Sequence, residues 1–325
     1  MFVLQAHIEI GDYTFSQVQS LRITRSVDLI GDTAVIELPT HFVLGDGKKG
    51  FQKSRTTDAI AVSNRVSIRM GYAGVIDRTE FVGVVTAVRP NVPVSIHCAD
   101  ASWHLRQKNC NKNFTKTTLR AVMAYILAGQ EAISLSERIP ELSMDKCILK
   151  DKNGLQALQQ LKQSLQLSIF LDDRGALFAC PRRDQPLGKA VDYKIGCNVI
   201  RHNLEFKTRA QAKVSVKLIG MTGDNRVTSV EQGEAGGARY TWHQLNLSDA
   251  AELKKIAASQ LDALQYEGYR GTLTSFLTPF ADRGMTANLC DERYPERAGS
   301  YFIPRVDITY GVNGGRRIVE LGRQV

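Results

Sequence analysis

Residues 64–74 read NRVSIRMGYAG, and the chain runs on through VIDRTEFVGVVTAVRPN (75–91) to VSIHCAD (94–100). Val66, Ile68 and Met70 alternate with Ser67 and Arg69, a period of two that predicts a half-buried strand stopping at Gly71. Phe81 to Val88 reads as its partner in a hairpin, and a third strand follows Pro90 and Pro93. No catalytic residue type sits at the mouth of this hairpin, so its purpose has to come from the surrounding chain.

Upstream, FVLQAHIEI (2–10), SLRIT (20–24) and TAVIELP (33–39) are also strand-like. They are separated by turns at Gly11-Asp12, Gly31-Asp32, Gly45 to Gly50 and Ala73-Gly74. Short strands at this spacing, with no crossover helices between them, predict an antiparallel sandwich or barrel over 1–102. After Trp103 the pattern changes. Thr117-Thr118 precede Leu119, Val122, Met123, Ile126 and Leu127 at helical spacing, ended by Gly129. Asn153 caps a second helix carrying Leu155, Leu158, Leu161 and Leu165. LSIFLDDRGALFA (167–179) then reads as two strands about a DDRG turn. Residues 103–195 are therefore a small α+β domain, too small for an independent catalytic domain.

From Cys197 strand signals return in VIRHNLEFK (199–207) and QAKVSVKLIG (211–220), followed by a Gly-rich loop in VEQGEAGGARY (230–240). Ser248 or Asp249 starts a third helix, spanning about 248–267, with Leu253, Ile256, Ala257, Leu261 and Leu264 on its apolar face. GTLTSFL (271–277) and a closing hairpin in SYFIPRVDITYGVNGGRRIVELG (300–322) complete a second β-rich domain over 196–325. The class is mainly β with α+β.

A chain of 325 residues predicts two or three domains. Its apolar runs are far short of the roughly 20 residues that span a bilayer, so no membrane insertion is expected. The start MFVLQAHIEIGDY has no basic leader or cleavage pattern, which implies a cytoplasmic site of assembly. Six cysteines without a CxxC argue for reduced, mostly buried thiols rather than a disulfide scaffold or structural zinc. The net charge of +9 is concentrated in residues 101–195, which hold fifteen Lys/Arg against nine Asp/Glu, whereas residues 1–100 hold ten of each. The basic residues are spread out and not interleaved with aromatics, so they read as a solvated surface rather than a nucleic-acid stripe.

Motifs for chemistry fail on context. GDGKKG (45–50) matches GxGxxG, but no helical periodicity follows to face a pyrophosphate. His97, Cys98, His104 and Cys110 lack metal-ligand spacing, and His97 and Cys98 should point to opposite faces of a strand. Ser143 and Lys146 spell SxxK without its partner motifs, in a segment read as lying between helices. Asp172-Asp173 belongs to a hairpin turn, and Asp291-Glu292 to a loop before Pro295 rather than to a glycosidase pair. Trp103 and Trp242 read as packing residues. No GxSxG, HExxH or P-loop occurs. The expectation is a protein that is not an enzyme and holds no cofactor and no metal.

The order VSIRMGYAG, a short spacer, EFVGVVTAVRPN, a β-run, then Ala-Asp followed by a Trp and a helix resembles the baseplate hub proteins of contractile phage tails. That family includes the phage late control protein and the amino-terminal part of the type VI secretion spike protein. Its strand ending in Gly-Tyr, here Gly71-Tyr72, pairs with a Phe-x-Gly-x-Val strand, here Phe81, Gly83 and Val85. The resemblance continues in the unit at 154–180 and in residues 273–310, whose Gly299-Ser300-Tyr301 matches a Gly-x-Tyr step of the family's second barrel.

The resemblance implies two similar antiparallel β-barrel tube domains and a homotrimeric ring. One face of that ring meets a hexameric tail tube protein and the other a central spike protein. With other baseplate proteins it would form part of a virion tail or related contractile injection device, through which DNA only passes. This chain departs from the type VI relatives in having no OB-fold or β-helical spike after the second barrel, so the spike is expected to be a separate protein. Candidate assembly-interface loops are 45–57, with Lys48, Lys49 and Phe51, and 232–237, with Gly233 and Gly236. A basic nucleic-acid-binding β-barrel protein is the alternative. A cell-wall hydrolase is a third reading, for which the three segments leave no room.

Overall fold

The computed structural model describes residues 3–46, 50–165, 167–172, 175–181, 189–208, 211, 213–221, 227–245, 249–265 and 267–325. The opening hairpin forms as its alternation requires. Arg65–Tyr72 pairs antiparallel with Ile76–Arg89 from Tyr72↔Ile76 to Arg65↔Val84, and Val66, Ile68 and Met70 all face the core. The register slips between Ile68 and Arg69, leaving Glu80 as the extra residue of a β-bulge. At Val84 the long strand changes partner, and its second half pairs with Val94–Ala99. Gly83 sits at that switch, where a Cβ would lie 2.2 Å from the Ala99 carbonyl oxygen.

This hairpin belongs to an 11-stranded sheet in which every neighbouring pair is antiparallel. Its order is Val199–Lys207, Gly268–Ser275, Arg316–Leu321, Arg305–Gly311, Ser20–Ser26, Thr33–Leu38, Val94–Ala99, Ile76–Arg89, Arg65–Tyr72, Leu4–Ile10 and Tyr13–Phe15. The two β-rich segments join edge to edge where Ser20–Ser26 lies against Arg305–Gly311, from Ser20↔Gly311 to Ser26↔Arg305.

The order contains a repeat. Ser20–Ser26, Thr33–Leu38, Val94–Ala99 and Ile76–Arg89 are neighbours in that sequence, the last two forming a hairpin. Val199–Lys207, Gly268–Ser275, Arg316–Leu321 and Arg305–Gly311 follow the same sequence, again ending in a hairpin of the last two. Each β-rich segment thus supplies one copy of the same four-stranded unit. One row runs across both, through Val199, Ser275, Arg317, Ile308, Ile23, Ala34, Cys98 and Val85. All of these but the half-buried Val199 are buried. The mainly β class is as the sequence implies. In hydrogen bonding, the two units are successive halves of one sheet with ends at Tyr13–Phe15 and Val199–Lys207.

One core serves both halves. Ile8, Ile23, Ile36, Ile68 and Ile96 pack with Leu273, Ile308 and Val319, and the three-stranded sheet of Ala190–Lys194, Thr286–Cys290 and Gly299–Phe302 adds Tyr193, Ala287 and Tyr301. The α+β part has its own core. Helix Leu119–Leu127 is capped by Thr118 and buries Leu119, Val122, Met123, Ile126 and Leu127. Helix Gly154–Ser164 starts with a capping box, in which the Asn153 side chain accepts from Gln156 N and the Gln156 side chain accepts from Asn153 N. The hairpin Leu167–Leu171 with Ala176–Pro181 completes this layer. Asp172 closes its turn by accepting from Ala176 N at 2.8 Å; Asp173 and Arg174 lie outside the described residues.

A polar ribbon was not legible in the sequence. Asn109–Thr118 pairs with Ser143–Asn153, so Ser143 and Lys146 stand on a strand rather than between helices. Both are exposed there, and an extended strand does not bring them together as one helical turn would, which removes the SxxK geometry.

Helix Ala250–Leu264, capped by Asp249, packs Leu253 and Ala257 on Val214, Val216 and Leu218 of a three-stranded sheet. Ser248 lies outside the described residues. No helix among the described residues is long and apolar enough to cross a membrane.

Candidate functional site

Six charged side chains meet where the two sheet halves and the α+β part come together. Arg25 is in phase with Leu21 and Ile23 on the core face of its strand, and Arg317 is in phase with Val319 and Leu321 on its own. The bulge turns Glu80 inward to meet them. Arg317 Nη2 donates to Glu80 Oε1 at 2.6 Å, and Arg317 Nη1 donates to the Ala281 carbonyl at 3.0 Å. Arg25 Nη1 donates to Asp282 Oδ2 at 2.8 Å, and Arg25 also donates to the Glu80 carbonyl. Arg283 Nη1 donates to Asp32 Oδ2 at 2.9 Å and its Nη2 reaches the Leu171 carbonyl, bringing in the α+β hairpin. Charges this deep persist only when paired, and these are.

The loop carrying Asp32 is held by a second carboxylate. Asp100 Oδ2 accepts from Asp32 N at 2.7 Å and its Oδ1 accepts from Ser102 N at 2.9 Å. A Cβ on Gly31 would lie 2.2 Å from Ser102 Oγ, so a side chain at 31 is incompatible with this junction.

Burial drives the Asp32 carboxyl from 3.8 up to about 7, against the pull of Arg283 and Arg25 and with the help of Asp100 and Asp282. Burial also acts on Asp282, but Arg25 and Arg283 outweigh it and hold that carboxyl below its ordinary value. The native Asp32 binds its proton more tightly than the unfolded chain does. Its contribution is complete below pH about 4 and is lost as pH rises through about 7. Asp282 has the opposite sign, and its contribution is lost only on acidification below about pH 4. Stability should therefore fall by about 1–2 kcal/mol between pH 5.5 and 7.5 from Asp32, and the thermal midpoint with it. Asp32→Asn should flatten that slope in a thermal melt, and an unchanged slope would contradict the assignment.

Two cavities flank the cluster, of about 520 Å³ and 420 Å³. Arg78 lines both, with its guanidinium 3.4 Å from the centre of the Phe280 ring. Glu137, Asp172, Lys189 and Asp282 are among the residues lining the first, and Asp32, Glu80 and Asp100 among those lining the second. The cluster is an electrostatic fastening, and the sequence reading did not identify it.

The residues singled out in the sequence are scattered. His41–Asp46 and Gly50–Arg55 form a hairpin of their own, anchored by edge-to-face contacts of Phe42 with Tyr13 and Phe15 at 5.5 and 5.1 Å. Lys48 and Lys49 lie outside the described residues, as does the side chain of Phe51. No nucleotide-binding helix follows this loop, since only the four-residue turn Thr56–Ala59 succeeds it.

Gly233 and Gly236 have a local role. Val227–Gly233 and Ala238–Leu245 lie on opposite sides of Val214–Met221, so the short link between them must cross the start of that strand. Gly233, at φ +115°, passes so close that a Cβ would sit 2.3 Å from the Val214 carbonyl oxygen, and Gly236 makes the left-handed turn at φ +88°.

Cys98 is buried and its thiol is pushed up to about 12 by that burial, while His97 turns to the other face as expected. No group of three or more metal-ligating side chains occurs among the described residues. Asp291 accepts from the Tyr269 hydroxyl at 3.0 Å, whereas Glu292 is an exposed partner of Lys194, so the two carboxylates have different partners. Trp242 stacks on Tyr240 and packs on the helix Ala250–Leu264 unit.

No protein-family model matches the chain, and no curated protein matches it. Solved structures do. A tail protein from Neisseria meningitidis superposes with a TM-score of 0.68 at 13% identity, over 98% of this chain and 96% of that one. The 43 kDa tail protein of prophage MuSo2 from Shewanella oneidensis gives 0.65 at 12% identity, over 99% and 97%. An Escherichia coli component of the type VI secretion system, described as structurally similar to the T4 bacteriophage tail proteins gp27 and gp5, gives 0.60 at 9% identity, over 98% and 76%. The chain therefore has the fold of phage and prophage tail proteins, a fold that a type VI secretion component shares.

Proposed function

We propose that this protein is the structural baseplate hub of a contractile phage tail or related injection device. Three copies would form a ring that joins a hexameric tail tube to a central spike. The observation that carries the reading is the repeated four-stranded unit: two copies per chain give six similar units in a ring of three. Such a ring can face six identical tube subunits on one side while remaining threefold on the other.

On this reading the tube protein, the spike and other baseplate proteins are the partners, assembly takes place in the bacterial cytoplasm, and the final location is the virion tail. The role needs no catalysis, cofactor or metal. The divisions 1–102, 103–195 and 196–325 correspond to first tube unit, α+β unit and second tube unit. A nucleic-acid-binding barrel is the less favoured reading, because the solved structures that share the fold are tail and type VI secretion proteins. Mass photometry of the protein alone and with its spike, followed by electron microscopy of tube ends, tests the proposal. A ring of three is expected, and monomers that never appear as a ring on any tube would refute it.

A further inference from the structure

The two rims of the sheet differ in symmetry, and the strand registers show how. Ser20 lies opposite both Gly311 and Glu37, Leu38 lies opposite Val94, and Ser95 lies opposite Arg89. The hairpin tips Pro90–Pro93 and Val312–Gly315 therefore emerge from the same rim. They are equivalent loops of the two four-stranded units, each joining the paired strands that end its unit.

Both tips carry an almost fully solvent-exposed valine beside an asparagine: Val92, 88% exposed, next to Asn91, and Val312, 98% exposed, next to Asn313. They are the two most exposed large apolar side chains among the described residues.

The opposite rim carries material that occurs once per chain. Val27 and Ile30, which follow the far end of Ser20–Ser26, pack into the α+β part. Leu171 N donates to the Ile30 carbonyl at 2.8 Å there, and Lys162 reaches the Val27 and Asp28 carbonyls. The unit containing helix Ala250–Leu264 also leaves and returns on this rim, because Lys207 pairs with Gly268 at the end remote from Val199 and Ser275.

Resting on the hub reading, we infer that the rim bearing Val92 and Val312 is the face that docks the tail tube, each valine acting as an apolar knob for one tube subunit. The rim bearing the α+β part is then the face that meets the spike. A sixfold partner presents six identical recesses, and only the first rim offers two equivalent projections per chain. Leu38 ends on this rim, so the hairpin of His41–Asp46 and Gly50–Arg55 starts there once per chain, and around the ring it would mark alternate units.

The test is capping of tubes polymerised from the tube protein of the same particle, counted by negative-stain microscopy over a range of hub concentrations. Val92→Asp and Val312→Asp are compared with the unaltered protein and with Ile148→Asp, an exposed position on the α+β ribbon. Because both tip valines stand in solvent, neither substitution should change the melting temperature. Each should weaken capping at least about tenfold, with Ile148→Asp unchanged. If both tip variants cap normally, or if Ile148→Asp alone abolishes capping, the face is misassigned while the hub reading stands. If the unaltered protein caps no tubes, the hub reading falls and this inference with it.

Discussion

Glu80→Ala is expected to destabilise the protein by about 3–5 kcal/mol, as removal of one partner from a buried ion pair does. Arg317 is fully buried and its guanidinium faces Glu80 at 2.6 Å. Without the carboxylate, a positive charge is left in the core with only the Ala281 and Leu277 carbonyls as partners in hydrogen bonding. Arg25 also loses an ionic neighbour, at 3.9 Å. Replacing the pair together is a different matter. Glu80→Met with Arg317→Met fills similar volume and leaves no bare charge, so most of the loss should be recovered, because buried pairs often contribute little over apolar side chains. Denaturant titration of the two variants decides this. Equal destabilisation by the single and double changes would show that the pair is intrinsically stabilising rather than merely compensated.

Gly83→Ala should cost about 3 kcal/mol, the upper part of the range for overpacking. The added methyl would sit 2.2 Å from the Ala99 carbonyl oxygen and 2.8 Å from the Phe81 ring. The oxygen belongs to the adjacent strand backbone, which cannot rotate away as the end of a side chain can. The strand must shift at the point where Ile76–Arg89 exchanges one partner for another, so the hairpin that begins the fold is affected along with its neighbour. Gly74→Asn makes the control. That glycine has φ +71° and nothing within 4 Å of a built Cβ, and asparagine tolerates the left-handed region, so its cost should stay near or below about 1 kcal/mol. Comparable losses at 74 and 83 would mean that backbone conformation, not close approach, explains both glycines.

The class of fold was legible because the strands with one buried face alternate cleanly, and the helices carry their caps in sequence. Thr118, Asn153 and Asp249 each cap the helix expected after them. The ribbon Asn109–Thr118 with Ser143–Asn153 escaped because NCNKNFTKTT has few apolar residues, so little alternation marks it as a strand. The joint between Ser20–Ser26 and Arg305–Gly311 escaped for another reason: nothing local in either strand names a partner more than 270 positions away.

The ion cluster did leave a trace. Arg25 follows Leu21 and Ile23 at the same spacing of two, and Arg317 precedes Val319 and Leu321 likewise, so continued alternation places both arginines in the core. Such a position demands a buried acid, and Glu80 interrupts the strand register to supply it. The purpose of NRVSIRMGYAG follows from this geometry. Its hairpin brings the bulge, and hence Glu80, to the seam between two similar units, where it helps to fasten them into one wall.

The most direct test is cryo-electron microscopy of the protein bound to the proposed tube and spike partners. The account predicts three chains contributing six similar β units to one ring, with the hairpin tips of Val92 and Val312 toward the tube. Six chains in the ring, or one chain without a channel, would contradict it.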